Sequence, residues 1–133
     1  MFAESIPAMP GAADPSALAF RTFLAVAERL ALPVRERLAL LGIAKSTYTV
    51  WLKRLEEGAL REVDGDKLDR MACVLGIYEL AGSVFPDGVA WMTRANQAPA
   101  FQGRRPLDRM LGGRMEDLME TLNYLKTATM GLL

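Results

Sequence analysis

The sequence predicts an all-α protein: a helix-turn-helix module and a small helical module, joined by a central helix. Three observations point there. Apolar residues recur at three- and four-residue spacing along most of the chain, Asp-Pro, Gly and Pro punctuation divides it into about seven segments, and no stretch has the alternation of a strand of any strength. About half of the 133 residues are apolar, enough for a core in one domain or two very small ones.

Residues 1–13, rich in Ala, Pro and Gly, are expected to be a disordered leader. They lack the basic and apolar regions of a signal peptide. The helix-turn-helix module then spans 14–64. In its first helix, about 15–31, Asp14 is placed to cap and Pro15 to open, while Leu18, Phe23, Val26 and Leu30 recur at helical spacing. A second helix of about two turns follows Pro33, with Val34, Leu38 and Leu41 recurring, and Gly42 is placed to end it in the left-handed conformation. The third begins near Ala44 and is closed by Gly58. It puts Tyr48, Trp51, Leu52 and Leu55 on one stripe and turns Ser46, Thr47, Thr49, Val50, Lys53 and Arg54 outward.

A break at Asp64-Gly65 starts the second module, 65–126, whose central helix covers 66–84. Its two apolar stripes, Leu68, Met71, Leu75, Tyr78 and Val74, Ile77, Ala81, Val84, predict burial on two sides and therefore a helix that joins the halves. Asp64, Asp66 and Asp69 resemble part of a calcium loop but lack its remaining ligands, so a loop with a helix cap is expected. A short helix follows Pro86, then a loop, one or two turns from Pro106, and a last helix with Met115, Leu118, Met119, Leu122 and Leu125 inward. Residues 127–133 form a C-terminal tail.

Composition removes several chemistries. The absence of histidine excludes His-based triads and His-ligated metals. Gly-rich phosphate loops and paired carboxylates in an evident cleft are also missing, so no enzyme, cofactor or metal site is expected. A single cysteine, Cys73, fits a reducing cytoplasm, and no apolar run reaches the roughly 18 to 20 residues of a membrane span.

The formal charge is zero, yet residues 35–61 hold six Lys or Arg against three Glu, so the basic excess is local. Lys45, Ser46, Thr47, Thr49, Lys53 and Arg54 combine short polar groups for base edges or phosphates with cations for the backbone, which makes them the candidate DNA contacts. The same pattern occurs in all-α proteins whose charges merely face solvent, so the pattern alone leaves both readings open. Ala44, where a Ser or Thr would cap, weakens the start of the third helix.

In the second half, Trp91, Phe85 and Phe101 are large enough to knit a small core, and Gly103 allows a turn. Arg104 and Arg105 are either a solvated pair or donors for a partner's carboxylates.

The order Val84-Phe85, Pro86-Asp87, Trp91-Met92, Asn96, Phe101, Gly103-Arg104, Pro106-Leu107 and Met110-Leu111 resembles the C-terminal toxin-binding domain of the Xre/MbcA/ParS antitoxin family. Leu41-Gly42-Ile43, Ser46-Thr47 and Trp51 match that family's Xre-like helix-turn-helix. The resemblance covers about residues 15–126. It departs at Ala44, at Gln102 where Gly is common, and in a stretch from Asn96 to Phe101 about one residue longer.

The resemblance implies an antitoxin of a type II toxin–antitoxin system. Its partner is a RES-domain toxin that degrades NAD or transfers its ADP-ribose, and its second target is operator DNA bound as a homodimer, with autorepression. It also implies that the C-terminal segment enters the toxin's cleft. Lys126, Met130, Gly131, Leu132 and Leu133 fall there, and Met119, with Arg104 and Arg105, completes the candidate toxin contacts. The alternative is a stand-alone helix-turn-helix transcriptional regulator whose second half only dimerises.

Overall fold

Asp14 sets the start of the first helix. In the computed structural model, which describes residues 14–131, its Oδ1 accepts the Ser16 backbone N–H at 2.8 Å and its Oδ2 accepts that of Glu62 at 2.8 Å. Pro15, expected as the first helical residue, takes the N-cap position and Asp14 lies one residue before it; the Ser16 hydroxyl oxygen accepts the Val63 N–H at 2.9 Å, so Asp14 and Ser16 together anchor the segment that leaves the first module. The expected leader, 1–13, and Leu132 and Leu133 of the tail lie outside the described residues.

Seven helices occur among those residues: α1 (Ser16–Arg29), α2 (Val34–Leu41), α3 (Lys45–Glu56), α4 (Gly65–Val84), α5 (Gly88–Thr93), α6 (Pro106–Met110) and α7 (Met115–Thr129). The all-α expectation therefore holds. α2 ends at Gly42, whose φ of 66° is the left-handed C-cap the turn needs. Ala44 caps α3 without a side-chain bond, as its methyl group dictates. Asp64 occupies the N-cap position of α4, also without a side-chain cap bond, and Asp66 pairs instead with Lys67 and Arg70.

One core runs through both halves. Phe20, with no exposed surface, meets Tyr48 and Trp51 edge-on at centroid distances of 5.9 and 5.3 Å and so seats α3 on α1. α4 contacts α1 and α2 from the first half and α5 and α7 from the second, burying Met71, Val74, Ile77 and Ala81. At its far end a Cβ on Gly88 would lie 2.6 Å from the Gly82 backbone, so glycine permits the close crossing of α5.

Several facings differ from the sequence expectation. Leu18 is 67% exposed, and Val34, Leu52 and Met119 also point outward, while Phe20, Leu40 and Thr121 are buried; Leu41 is buried as expected. In a short helix two rotations can each present a three- or four-residue apolar repeat. Packing of Phe20 against Tyr48 and Trp51 selects between them here. Phe85 and Trp91, expected in the core, are half-buried and stack on each other at 5.1 Å, with Phe101 and Tyr124 completing an aromatic cluster.

Candidate functional site

The outer face of α3 carries five of the six candidate DNA contacts. Lys45, Ser46, Thr49, Lys53 and Arg54 are exposed together with Val50, on the side opposite Tyr48 and Trp51. The Thr49 hydroxyl donates to the Lys45 carbonyl at 3.1 Å, which leaves its oxygen free to accept. Thr47 differs from the expectation: it is half-buried at the flank of the helix, in a hollow shared with Trp51, Arg54, Arg61 and Lys67.

Arg37 contributed to the basic excess, but its guanidinium is occupied. Nε donates to the Leu32 carbonyl at 2.9 Å, Nη1 to the Tyr48 hydroxyl at 3.4 Å, and Nη2 pairs with Glu28 at 3.0 Å. It clips α2 to α1 and α3.

In the second half, Arg104 is exposed at the rim of a hollow it shares with Gln102, Arg109, Arg114 and Asp117. Arg105 corrects the expectation of a free donor. Its Nε and Nη2 donate to Asp108 Oδ1 at 3.0 and 2.6 Å, and Asp108 Oδ2 accepts the Arg105 backbone N–H at 3.1 Å. The guanidinium beside it holds the Asp108 carboxyl below its ordinary range. An Arg-x-x-Asp pattern recurs at Arg114 and Asp117, whose Oδ2 accepts the Arg114 N–H at 3.3 Å; both aspartates cap their helix from its third residue.

Sequence reasoning missed Arg109. It donates to the Ala100 carbonyl at 2.8 Å, to the buried Asp117 carboxylate at 3.2 Å and to Glu120 at 2.6 Å, holding the 95–105 loop against α7. The signal was not local, since an arginine three residues after Pro106 reads only as a solvent-facing residue of a short helix.

Met119, Lys126 and Met130 share one exposed stripe of α7, completed by Asn123, which the sequence reading also missed. Met119 is 48% and Met130 64% exposed, on a helix whose other face buries Leu118, Thr121 and Leu125. α7 continues to Thr129, so residues 127–129 are its last turn rather than a flexible tail, and Gly131 follows with φ of 72°. Arg104 and Arg105 sit toward the other end of this helix, about 20 Å from Met130 at the α-helical rise. Cys73 is half-buried, and burial pushes its thiol up, away from the reactive thiolate.

An exposed polar and basic third helix, carried on the same core as a second helical half that exposes Met119 and Met130, defines a helix-turn-helix protein with an appended helical half. Comparison with known families specifies the class. The model of the antitoxin Xre-like helix-turn-helix domain matches residues 9–72, and that of the antitoxin Xre/MbcA/ParS C-terminal toxin-binding domain matches residues 78–127. The chain belongs to the Xre/MbcA/ParS antitoxins, with a toxin as its protein partner and a helix-turn-helix for DNA. No curated protein and no solved structure matches it. No described helix is long and apolar enough to cross a membrane.

Proposed function

We propose that this antitoxin silences a RES-domain toxin, an enzyme that degrades NAD or transfers its ADP-ribose, by covering the toxin's active site with the end of α7 and the residues after it. The carrying observation is the stripe of Met119, Asn123, Lys126 and Met130, which leaves two large apolar side chains exposed on a helix whose opposite face is buried, and which precedes Gly131, Leu132 and Leu133 in the chain. Unbranched methionines adapt to a cleft they do not define. Arg104, exposed toward the other end of the helix, offers a fork for a carboxylate of the partner. Support for a RES-type partner comes from the resemblance of the toxin-binding half.

In the same reading the protein acts in the cytoplasm as a homodimer. Lys45, Ser46, Thr49, Lys53 and Arg54 of each copy meet one operator half-site and repress the antitoxin's own promoter. One copy presents too few cations for useful affinity alone.

Co-expression with the adjacent reading frame tests this. The expected result is a co-purifying partner whose NAD consumption stays silent with the full chain and appears with a chain ending at Lys126. A protein that binds only DNA and co-purifies with nothing supports the stand-alone regulator instead.

A further inference from the structure

An apolar hollow lies away from both surfaces, along the seam between α1 and α4. Leu18 and Ala19 of α1 face Leu68, Ala72 and Leu75 of α4 across a groove of about 380 Å³. A second hollow of about 220 Å³ continues it toward Arg29 and Tyr78, and the two share Thr22 and Leu75. Pro15 and Leu68 bound one end of the seam and Arg29 and Glu79 the other, so the two helices run in the same direction. Leu18, 67% exposed, stands at its first end.

The charges flanking the seam are divided by helix. α1 presents exposed Arg21 and Arg29, and α4 presents exposed Asp69 and Glu79. Among the described residues none of the four forms an ion pair within the chain; Arg29 Nη1 donates to the Tyr78 hydroxyl at 3.3 Å, an exposed neutral contact that leaves its charge unpaired. The two arginines are eight residues apart and the two acids ten, about 12 and 15 Å along a helix.

From this we infer that the seam binds a second copy of the chain, α1 of each copy lying antiparallel on α4 of the other. A two-fold axis near Thr22 and Leu75 exchanges the ends of the seam. It brings Arg29 of one copy to Asp69 of the other and Arg21 to Glu79, and it points each Leu18 at the hollow by the other's Tyr78. An isologous interface must be complementary to itself, and a basic helix beside an acidic one, with charge spacings that differ by about 3 Å, within the reach of an arginine side chain, and a knob and a hollow at opposite ends, meets that condition. The inference rests on the homodimer proposed above and specifies its interface.

Sedimentation velocity on the full-length chain tests it. The parent is expected to be dimeric, and Leu18→Asp and Arg29→Glu each to weaken association by about tenfold or more, with the helical circular dichroism and a cooperative melt retained because both side chains are exposed. Arg29→Glu combined with Asp69→Arg is expected to restore the dimer. A parent dimer that both single variants leave undiminished overturns this seam as the interface and keeps the homodimer. A parent that stays monomeric at every concentration overturns both. A monomeric parent whose toxin co-purification is lost in Leu18→Asp assigns the seam to the toxin, and that also overturns the inference.

Discussion

Nη1 of Arg70, on the central helix, donates to the carbonyl of Gly113 at 2.9 Å, reaching across 43 residues of sequence to the loop that precedes the last helix. The same nitrogen lies 3.4 Å from the Leu40 carbonyl at the end of α2, and Nε pairs with Asp66 at 3.4 Å. The guanidinium rests on Gly42, where a Cβ would come within 2.8 Å of it. One side chain thus joins the turn of the helix-turn-helix to the toxin-binding half.

Replacing Arg70 by Met keeps an unbranched apolar stem and removes the guanidinium donors. The Leu40 and Gly113 carbonyls then lose a charged donor, and the expected loss is about 1–3 kcal/mol in urea unfolding. Because the clamp spans both halves, it should also weaken DNA binding and toxin binding together. A loss confined to one partner would show that the halves are held independently.

The clip and the contact surface on the first half separate in a salt titration. Lys53→Gln should lower the slope of log affinity against log salt by about one unit for each copy bound, as one phosphate contact is lost. Arg37→Met should leave that slope unchanged and instead cost stability, since its side chain is 14% exposed and bonded to Leu32, Tyr48 and Glu28. Equal effects on the slope would place Arg37 on the DNA.

Ala31 ends α1 with φ of 54°, a left-handed conformation that costs an L residue about 1 kcal/mol relative to glycine. Its side chain is exposed, so Ala31→Gly loses no packing. The expected result is a rise in stability of about 0.5–1 kcal/mol by thermal or chemical melting, despite glycine's greater entropy when unfolded.

Acid sensitivity should trace in part to Asp108. Hydrogen bonding from Arg105 holds its carboxyl below the ordinary value of 3.8 in the folded state. Its stabilising contribution is therefore present above that value and lost as the pH falls through the lower, folded one. Asp108→Asn should be less stable than the parent near neutrality, with a gap that begins to narrow as the pH falls below about 5 and goes on narrowing below 3.8. A gap constant over that fall in pH would remove the Arg105–Asp108 pair from the acid response.

The candidate surfaces were legible in the sequence to different depths. The exposed face of α3 followed from its polar and basic spacing, because a helix with Tyr48 and Trp51 buried must turn Lys45, Ser46, Thr49 and Lys53 the other way. The stripe proposed to meet the toxin was harder. Met119 belongs to an apolar repeat and reads as core, and only the packing of Leu118, Thr121 and Leu125 against α4 and α6 turns it outward.

The sequence alone was enough to locate the helices to within a few residues and to show that the described residues fold without strands. Gly42, Pro106, and Asp87, whose carboxylate accepts the Ala90 N–H at 3.0 Å, act through dihedral angles and hydrogen bonds that reach only a few residues. Tertiary structure decided which side of each short helix is buried and which arginines are spent inside the fold. Arg37, Arg70, Arg105 and Arg109 look alike in sequence. The carbonyls and carboxylates that occupy three of them lie up to 43 residues away, brought near only once Phe20, Ile77 and Leu118 have packed into one core. Arg104, which found no such partner, remains on the surface.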